Sequence, residues 1–232
     1  MRGFRVTRKW SVVLLHGIPQ VIPVMDDIVR ERCPGVEVVN ILHEGIFLEI
    51  SRAGGTTPQV VRRICCLAVE AENYGASAVL VTGSTFSPSV DTARNLVSIP
   101  VLKIDEAMAE AGVTRGRKIG LIATENATLE PSTRILQETA EAKNLKVEIV
   151  PKACPEARGF LRTDPERHDR LVVEASLALA LEVDVVILAQ SSLYGAMKKL
   201  EDVCPVPVYA SPGLAADSLK KTLEGLGWKP TA

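Results

Sequence analysis

Short apolar runs alternate with longer amphipathic stretches along the whole chain. The runs consist mostly of Val, Ile and Leu, which is typical of strands that are buried on both faces of a parallel sheet. This pattern predicts eight strands, at residues 10–15, 36–41, 78–82, 101–104, 118–123, 147–150, 185–189 and 206–210.

Between these runs, apolar residues recur three and four positions apart, as they do on the buried face of a helix. The spacing predicts helices at residues 23–32, 57–74, 132–143, 164–181 and 215–226. Thr57 before Pro58 is typical of a helix start, and we expect another start at Pro131. His168 and Asp169 are expected to cap a helix. The alternation of strands and helices indicates right-handed βαβ units and open parallel sheets.

The chain also contains an internal repeat. A shift of 107 positions carries Gly83-Ser84 onto Gln190-Ser191, and it carries Pro100-Val101 onto Pro207-Val208. Two separate segments that share one shift indicate two copies of one α/β unit. We therefore expect two pseudo-symmetric domains, each an open and mainly parallel sheet flanked by helices. The expected boundaries are residues 1–105 with 208–232 for the first domain, and residues 106–207 for the second.

Two hydroxyl-rich loops follow corresponding strands of the two copies, at Gly83-Ser84-Thr85 and at Gln190-Ser191-Ser192. Ligands of parallel sheets bind at the carboxyl ends of the strands, and a pseudo-twofold relation would place these two loops face to face. Their hydroxyls and backbone N–H groups are suited to holding an anion. The alternative is that these serines and threonines only cap the helices that follow.

Composition narrows the classes of partner. The formal net charge is −1 and the basic residues are scattered singly, so there is no basic stripe to bind nucleic acid. No apolar run approaches the roughly 18 residues that a membrane span needs. The five cysteines show no CxxC spacing and no pairing with a nearby His: Cys33, Cys65, Cys66, Cys154 and Cys204. We expect buried, reduced thiols in a cytoplasmic protein, and no metal site.

Several short segments point to a known family by their order and spacing. They are Val81-Thr-Gly-Ser-Thr-Phe-Ser-Pro88, Ile104-Asp-Glu-Ala-Met108, Ile119-Gly-Leu-Ile-Ala-Thr124 with Thr128, His168-Asp169 and Leu188-Ala-Gln-Ser-Ser192. Together they resemble the aspartate/glutamate racemase superfamily, which includes amino-acid racemases, hydantoin racemases, maleate isomerase and arylmalonate decarboxylase. The resemblance covers nearly the whole chain.

This resemblance implies two α/β domains with an active site between them, no metal, no organic cofactor, and a homodimer. Racemases of this family carry one cysteine at the matching strand end of each half, and the two thiols exchange a proton across opposite faces of the α-carbon. The matching positions here are Gly83 and Gln190, neither of which takes up a proton near pH 7. The two-thiol mechanism is therefore not carried over to this chain.

Removal of a proton beside a carboxylate requires a base and groups that stabilise the developing enolate. The main candidates for the base are His16 and Glu125, and the alternatives are His43, Glu44 and Glu106. The candidates for substrate binding are Ser84, Thr85, Thr124, Ser191, Ser192 and Tyr194. No arginine in these loops offers a bidentate clamp, so we expect hydrogen bonds to hold the carboxylate.

Two hypotheses from different classes stay open. In the first, the protein is a cofactor-independent, racemase-like isomerase, or a lyase, that acts on a small carboxylate-bearing substrate such as an amino acid or a hydantoin derivative. In the second, it binds small carboxylates without catalysis and has lost the two-cysteine chemistry. A third alternative is that Gly83 replaces a cysteine of the natural protein.

Overall fold

Two parallel four-stranded sheets form the framework of the computed structural model, which describes residues 9–230. The strands are β1 (Ser11–His16), β2 (Glu37–Leu42), β3 (Ala78–Val81), β4 (Val101–Lys103), β5 (Lys118–Ala123), β6 (Glu148–Ala153), β7 (Val185–Leu188) and β8 (Val208–Ala210). The strand order is β2-β1-β3-β4 in the first sheet and β6-β5-β7-β8 in the second. The eight predicted strands are confirmed, with bounds that differ by a few residues.

Helices cover both faces of each sheet. Within residues 9–230 they are α1 (Val21–Arg32), α2 (Glu44–Ala53), α3 (Pro58–Tyr74), α4 (Ser87–Arg94), α5 (Glu106–Arg115), α6 (Asn126–Ala142), α7 (Pro155–Arg158), α8 (Pro165–Ala180), α9 (Tyr194–Leu200) and α10 (Ser211–Gly225). The five that the sequence pattern missed, α2, α4, α5, α7 and α9, have three turns or fewer, too few for a clear periodicity. No helix in this part of the chain is long and apolar enough to cross a membrane.

The helix α3 begins and ends as its sequence predicts. The hydroxyl oxygen of Thr57 accepts a hydrogen bond from the backbone N–H of Val60 at 3.2 Å, and Pro58 occupies the first turn. Gly75 follows the helix with φ 93°, a left-handed conformation that glycine adopts at little cost. The local chemistry of the chain therefore fixes both ends of this helix.

One predicted helix start and one predicted helix cap are wrong, although the helix predicted at residues 164–181 is present as α8. The helix α6 begins at Asn126 because Glu125 is extended, with φ −139°, and Pro131 lies inside the helix instead of at its start. In α8 the cap is Asp164, whose carboxylate accepts a hydrogen bond from the N–H of Arg167 at 3.1 Å. His168 lies inside this helix and is buried, so the expected capping role does not apply to it.

The pairing of the strands repeats with the shift that the sequence suggested. Val12 of β1 pairs with Ala78 of β3, and 107 positions later Ile119 of β5 pairs with Val185 of β7. The strand orders of the two sheets correspond in the same way. The chain is therefore built from two copies of one α/β unit, as expected.

The two copies exchange their last helix. The helix α5 follows β4 of the first sheet, but its Met108 and Val113 lie in a core with β5 and β7 of the second sheet. Conversely, α10 follows β8 of the second sheet, but its Leu219 and Leu223 lie in a core with β1 and β3 of the first sheet. Each half therefore covers one face of the other half's sheet.

This exchange corrects the expected domain boundary. Residues 208–210 form β8, which pairs with β7 in the second sheet, so the chain returns to the first half at Ser211 and not at residue 208. We use "first half" for residues 9–105 with 211–230, and "second half" for residues 106–210. Residues 1–8 and 231–232, which we assigned to the first domain, lie outside the described residues.

The tight packing around β5 leads to a stability prediction. A Cβ atom on Gly120 would lie 2.7 Å from Cδ2 of Leu179 and 3.1 Å from Cγ2 of Val183. We expect Gly120→Ala to lower the free energy of unfolding by about 1–3 kcal/mol, because packed neighbours must shift. Gly159→Ala is the control: no atom lies within 4 Å of its Cβ position and φ is −63°, so we expect a gain of about 0.4–1 kcal/mol. Urea denaturation measures both, and an unchanged midpoint for Gly120→Ala would contradict this packing.

Candidate active site

Two 3₁₀ turns, one after β3 and one after β7, lie face to face between the halves. The hydroxyl of Ser84 donates a hydrogen bond to the carbonyl of Ala189 at 3.4 Å. The hydroxyl of Ser191 donates to the carbonyl of Thr82 at 3.5 Å. These two contacts are related by the shift of 107 positions. Each turn therefore rests on the end of the opposite strand.

A cavity of about 500 Å³ opens between the halves around these turns. Its volume is in the range of sites that enclose small organic ligands. All the predicted site residues except His16 and Tyr194 line it: Gly83, Ser84, Thr85, Thr124, Glu125, Gln190, Ser191 and Ser192. The structure thus brings together in one cavity residues that lie up to 109 positions apart in the sequence.

The turns present backbone donors to this cavity. The first N–H groups of a helical turn have no partner within the turn. Accordingly, no described residue accepts a hydrogen bond from the backbone N–H groups of Ser84, Thr85, Ser191 or Ser192. Four such groups, two from each half, are therefore available to an anionic ligand.

Gln190 is fixed by the neighbouring loop of the second half. Its amide oxygen accepts hydrogen bonds from the backbone N–H and the hydroxyl of Thr124, at 2.6 and 2.9 Å. Because the oxygen is engaged twice, the amide Nε2 is the end left for a ligand, and no described residue accepts a hydrogen bond from it. Gln190 therefore offers a hydrogen-bond donor at this position.

Gly83 occupies the corresponding position of the first half. Its φ is −113°, a conformation that any residue adopts. A Cβ atom there would lie 3.5 Å from the ring of Phe86, which is an ordinary van der Waals distance. The structure therefore has room for a small side chain at Gly83.

An ion pair that the sequence did not reveal lies in the same cavity. The Nε atom of Arg158, the last residue of α7, is 3.0 Å from Oε1 of Glu125. Arg134 of α6 also lines the cavity. We expected hydrogen bonds to hold the carboxylate because the two loops contain no arginine, but α6 and α7 bring two arginines to the cavity from outside these loops. The position of Arg158 shortly after the carboxyl end of β6 was the signal that could have identified it.

We expected His16 to lie beside the cavity, but it is not among the residues that line it. It ends β1 but is fully buried, with Nε2 2.9 Å from Oδ1 of Asn40 and Nδ1 2.8 Å from the hydroxyl of Thr82. The amide nitrogen of Asn40 donates to Asp26 at 2.8 Å, so its oxygen is the atom that accepts from Nε2. Burial lowers the pKa of His16, which favours the neutral ring. The hydroxyl of Thr82 lies 2.8 Å from Nδ1 of His16 and 3.0 Å from the carbonyl oxygen of Leu15, so its single proton is shared between these two acceptors.

The hydrogen bonds of His16 assign it a supporting position. Both ring nitrogens are engaged, so neither is free to take a proton from a ligand. Thr82, which it contacts, lines the cavity immediately before Gly83. His16 therefore contacts a residue of the cavity lining, Thr82, without lining the cavity itself.

Tyr194 also lies outside the cavity, so its expected contact with the ligand is wrong. It begins α9, where its ring packs against the cores of both halves. Its hydroxyl lies near Gly213 of α10, and burial raises its pKa. Tyr194 therefore contacts the cores of both halves outside the cavity.

The remaining candidate bases have other partners. The ring of His43 caps α2, where Nδ1 accepts from the N–H of Ile46 at 3.3 Å. Glu106 is paired with Arg94, with Oε2 2.8 Å from the guanidinium. Neither of them lines the cavity, nor does Glu44. Glu125 is therefore the one candidate base among those proposed that the structure places in the cavity.

None of the five cysteines lines the cavity. Burial raises the pKa of Cys33 and of Cys154 to about 11, so these thiols stay protonated at neutral pH. Cys66 is exposed, which contradicts the expectation that all five are buried. Within residues 9–230, no group of three or more His, Cys, Asp or Glu side chains is arranged to hold a metal ion.

The fold and the cavity together define a pseudo-symmetric α/β protein with a cavity between its two halves. The sequence model of the Asp/Glu/hydantoin racemase family matches residues 21–219, and the chain belongs to this family. No curated protein matches the sequence.

Solved racemase structures share this fold. Glutamate racemase from Bacillus anthracis is 21% identical, with 95% of this chain and 84% of that chain covered and a TM-score of 0.70. The aspartate racemase of Picrophilus torridus is 15% identical, covers 96% of each chain and gives a TM-score of 0.72. Allantoin racemase from Klebsiella pneumoniae is 15% identical, with 96% of this chain and 90% of that chain covered and a TM-score of 0.70. At these identities the likeness concerns the fold.

The buried ring of His16 leads to a pH prediction. Its pKa in the folded state lies below the ordinary value of 6.5, so its contribution to stability is complete above about pH 6.5 and is lost as the pH falls through the folded-state pKa. We expect the free energy of unfolding of the wild type to decrease between about pH 6.5 and pH 5, and that of His16→Gln to decrease less. Urea denaturation at several pH values measures this. His43→Gln, which alters a surface cap, is the control, and equal pH dependence in His16→Gln and the wild type would contradict the assignment.

Proposed function

We propose that the protein is a cofactor-independent isomerase of the racemase type, which removes a proton from the carbon next to the carboxylate of a small acid and returns a proton to the same carbon, or a related lyase. The observation that carries this proposal is the cavity in which the donors of both turns and the carboxylate of Glu125 converge. Membership of the racemase family supports the class of reaction.

In this proposal, the turns hold the acid and its enolate. Hydrogen-bond donors aimed at the place where negative charge develops lower the barrier to proton removal. The N–H groups of the two turns and the Nε2 atom of Gln190 supply such donors from both sides of the cavity. Arg134 supplies a positive charge on one side.

Glu125 is the proposed base. One carboxylate oxygen, Oε1, is held by Arg158, while no described residue is bonded to Oε2. Glu125 directly follows Thr124, which fixes Gln190, so the carboxylate lies on the second-half side of the reacting carbon. In this arrangement Arg158 is a positioning residue that sets the direction of the carboxylate.

Exchange of the α-proton for deuterium tests this proposal. The protein is incubated in heavy water with a panel of amino acids, hydantoins and substituted malonates. We expect the α-proton of at least one of these compounds to be replaced by deuterium, which NMR measures as loss of the α-proton signal. Glu125→Gln should slow this exchange by about 100-fold or more, because general-base catalysis contributes that much. Glu141→Gln, an exposed glutamate on α6 outside the cavity, is the matched control and should exchange at the wild-type rate. Full activity of Glu125→Gln would exclude Glu125 as the base.

A second candidate function is carboxylate binding without catalysis. The observation in its favour is that Gly83 and Gln190 occupy the positions where the two catalytic thiols of the family are expected, and none of the five cysteines lines the cavity. Thermal stabilisation by members of the panel, with no exchange of any of them, would favour this function over the enzyme.

The free space at Gly83 leads to a separate prediction. We expect Gly83→Cys to fold with a free energy of unfolding within about 1 kcal/mol of the wild type. The new thiol should react with iodoacetamide, be protected by bound ligand, and increase α-proton exchange above that of Gly83→Ala, which has the same Cβ without sulfur. Mass spectrometry of peptides separates this thiol from the exposed Cys66. A thiol that is protected by ligand but adds no exchange would show that the first turn does not contact the reacting carbon.

The homodimer and the cytoplasmic location stay predictions. Light scattering coupled to size-exclusion chromatography measures the first of these directly.

A further inference from the structure

The charges around the cavity all belong to one half of the molecule. The four charged side chains that line it are Glu125, Glu130, Arg134 and Arg158, and all of them come from the second half. We call these residues, together with Thr124 and Thr128, the polar wall. Arg158 is paired with Glu125, and the hydroxyl of Thr124 donates to Gln190. Arg134 and Thr128 are therefore the groups of the polar wall that can meet an acid group.

The first half contributes no charged side chain to the cavity. Apart from Thr82 and the turn with Ser84 and Thr85, it contributes the hydroxyls of Ser51 and Thr56, several glycines and an apolar surface. We call the following residues the apolar wall: Ile18, Val21, Phe47, Ile50, Val61 and Phe86. The second half adds only Leu161 and Pro131 as apolar lining. Charge and apolar surface are thus separated between the two halves.

The apolar wall reaches the turn around which the proposed reaction takes place. The ring of Phe86 lies 3.5 Å from the Cβ position of Gly83 and fills the space beside Gly17, where a Cβ would come within 2.6 Å of its Cζ. The Cβ of Phe47 lies 3.3 Å from the same Cβ position of Gly17. The hydroxyl of Thr56 donates to the carbonyl of Thr85 at 3.4 Å and holds the loop between α2 and α3 against the turn.

This separation limits what the ligand can carry. A charged group placed against the apolar wall would lose its hydration and find no partner of opposite charge, which is costly. An aliphatic or aryl group in the same place would remove apolar surface from water and be stabilised. A ligand with one acid end and one apolar end therefore fits both walls at once.

We propose that the ligand is an amphipathic acid, with its acid group on the polar wall and an aliphatic or aryl substituent on the apolar wall, against the partly exposed side chains of Phe47 and Val61. This inference rests on the proposed function in one respect, that the cavity is the site where the small acid binds. It adds the chemical class of the substituent, which the turns alone do not define.

Two ligands of equal charge test the proposal. Succinate and 2-benzylsuccinate share the same two carboxylates and differ by one benzyl group. We expect calorimetry on the intact protein to give a dissociation constant at least 10-fold lower for 2-benzylsuccinate, equivalent to about 1.4 kcal/mol. Equal or weaker binding of 2-benzylsuccinate would overturn the proposal.

Neighbouring residues of α2 provide a matched pair of variants. Phe47 lines the cavity, whereas Leu48 is exposed outside it. We expect Phe47→Ala to weaken the binding of 2-benzylsuccinate at least 5-fold and to change that of succinate less than 2-fold, while Leu48→Ala changes neither. Val61→Thr, which keeps the volume and adds a hydroxyl to the apolar wall, should also act on 2-benzylsuccinate alone. If Phe47→Ala and Val61→Thr both bind 2-benzylsuccinate like the wild type, the benzyl group lies elsewhere and the proposal is wrong.

The outcomes for this inference and for the proposed function are distinct. Preference for the benzyl group without α-proton exchange of any ligand supports the inference and contradicts the enzyme. Exchange of purely polar acids, with no preference for the benzyl group, supports the enzyme and contradicts the inference. Failure of both ligands to bind at millimolar concentrations contradicts the inference, and it contradicts the enzyme as well when no member of the panel exchanges its α-proton.

Discussion

The exchange of α5 and α10 holds the two sheets in one orientation, and the site depends on that orientation. Because each of these helices follows a strand of one sheet and packs on the other sheet, the halves share their cores. Parallel strands in both sheets then direct their carboxyl ends to the space between the halves. The reciprocal contacts of Ser84 and Ser191 lie at the point where the two sets of strand ends meet. The position of the cavity therefore follows from the order of the strands and from the exchanged helices, and the side chains determine only its chemistry.

Within this symmetric frame the two halves carry different chemistry. The positions of the second half that correspond to His16 and Thr82 by the shift of 107 are both alanines. The positions of the first half that correspond to Thr124 and Gln190 by the same shift are both glycines. The first half therefore supports its turn with the buried ring of His16, and the second half places the amide of Gln190 at the cavity. The repeat accounts for the symmetric arrangement of the two halves, and a few side chains that differ between them account for their different chemistry.

The sequence predicted the frame well because burial on both faces leaves a strong signal. Strands such as Ala78–Val81 and Val185–Leu188 have no polar positions, and their shared shift revealed the repeat before any contact was known. The loops that line the cavity followed from their place at the strand ends. Side-chain direction was not predictable: His16 ends a strand in the expected place, yet its ring turns inward to Asn40. The place of Arg158 in the cavity was not predicted, because a helix of one turn is too short to show a periodic pattern in the sequence.

The separation of charge and apolar surface has a consequence for stereochemistry. An unsymmetrical acid enters such a cavity in one orientation, so the two faces of its central carbon meet different groups. In the proposed mechanism the carboxylate of Glu125 approaches from the second half, and no titratable side chain of the first half lines the cavity. Glu125 would then take the hydrogen of one enantiomer, and inversion would require that solvent return a proton on the opposite face. The half that carries the base would therefore decide which enantiomer loses its α-hydrogen faster.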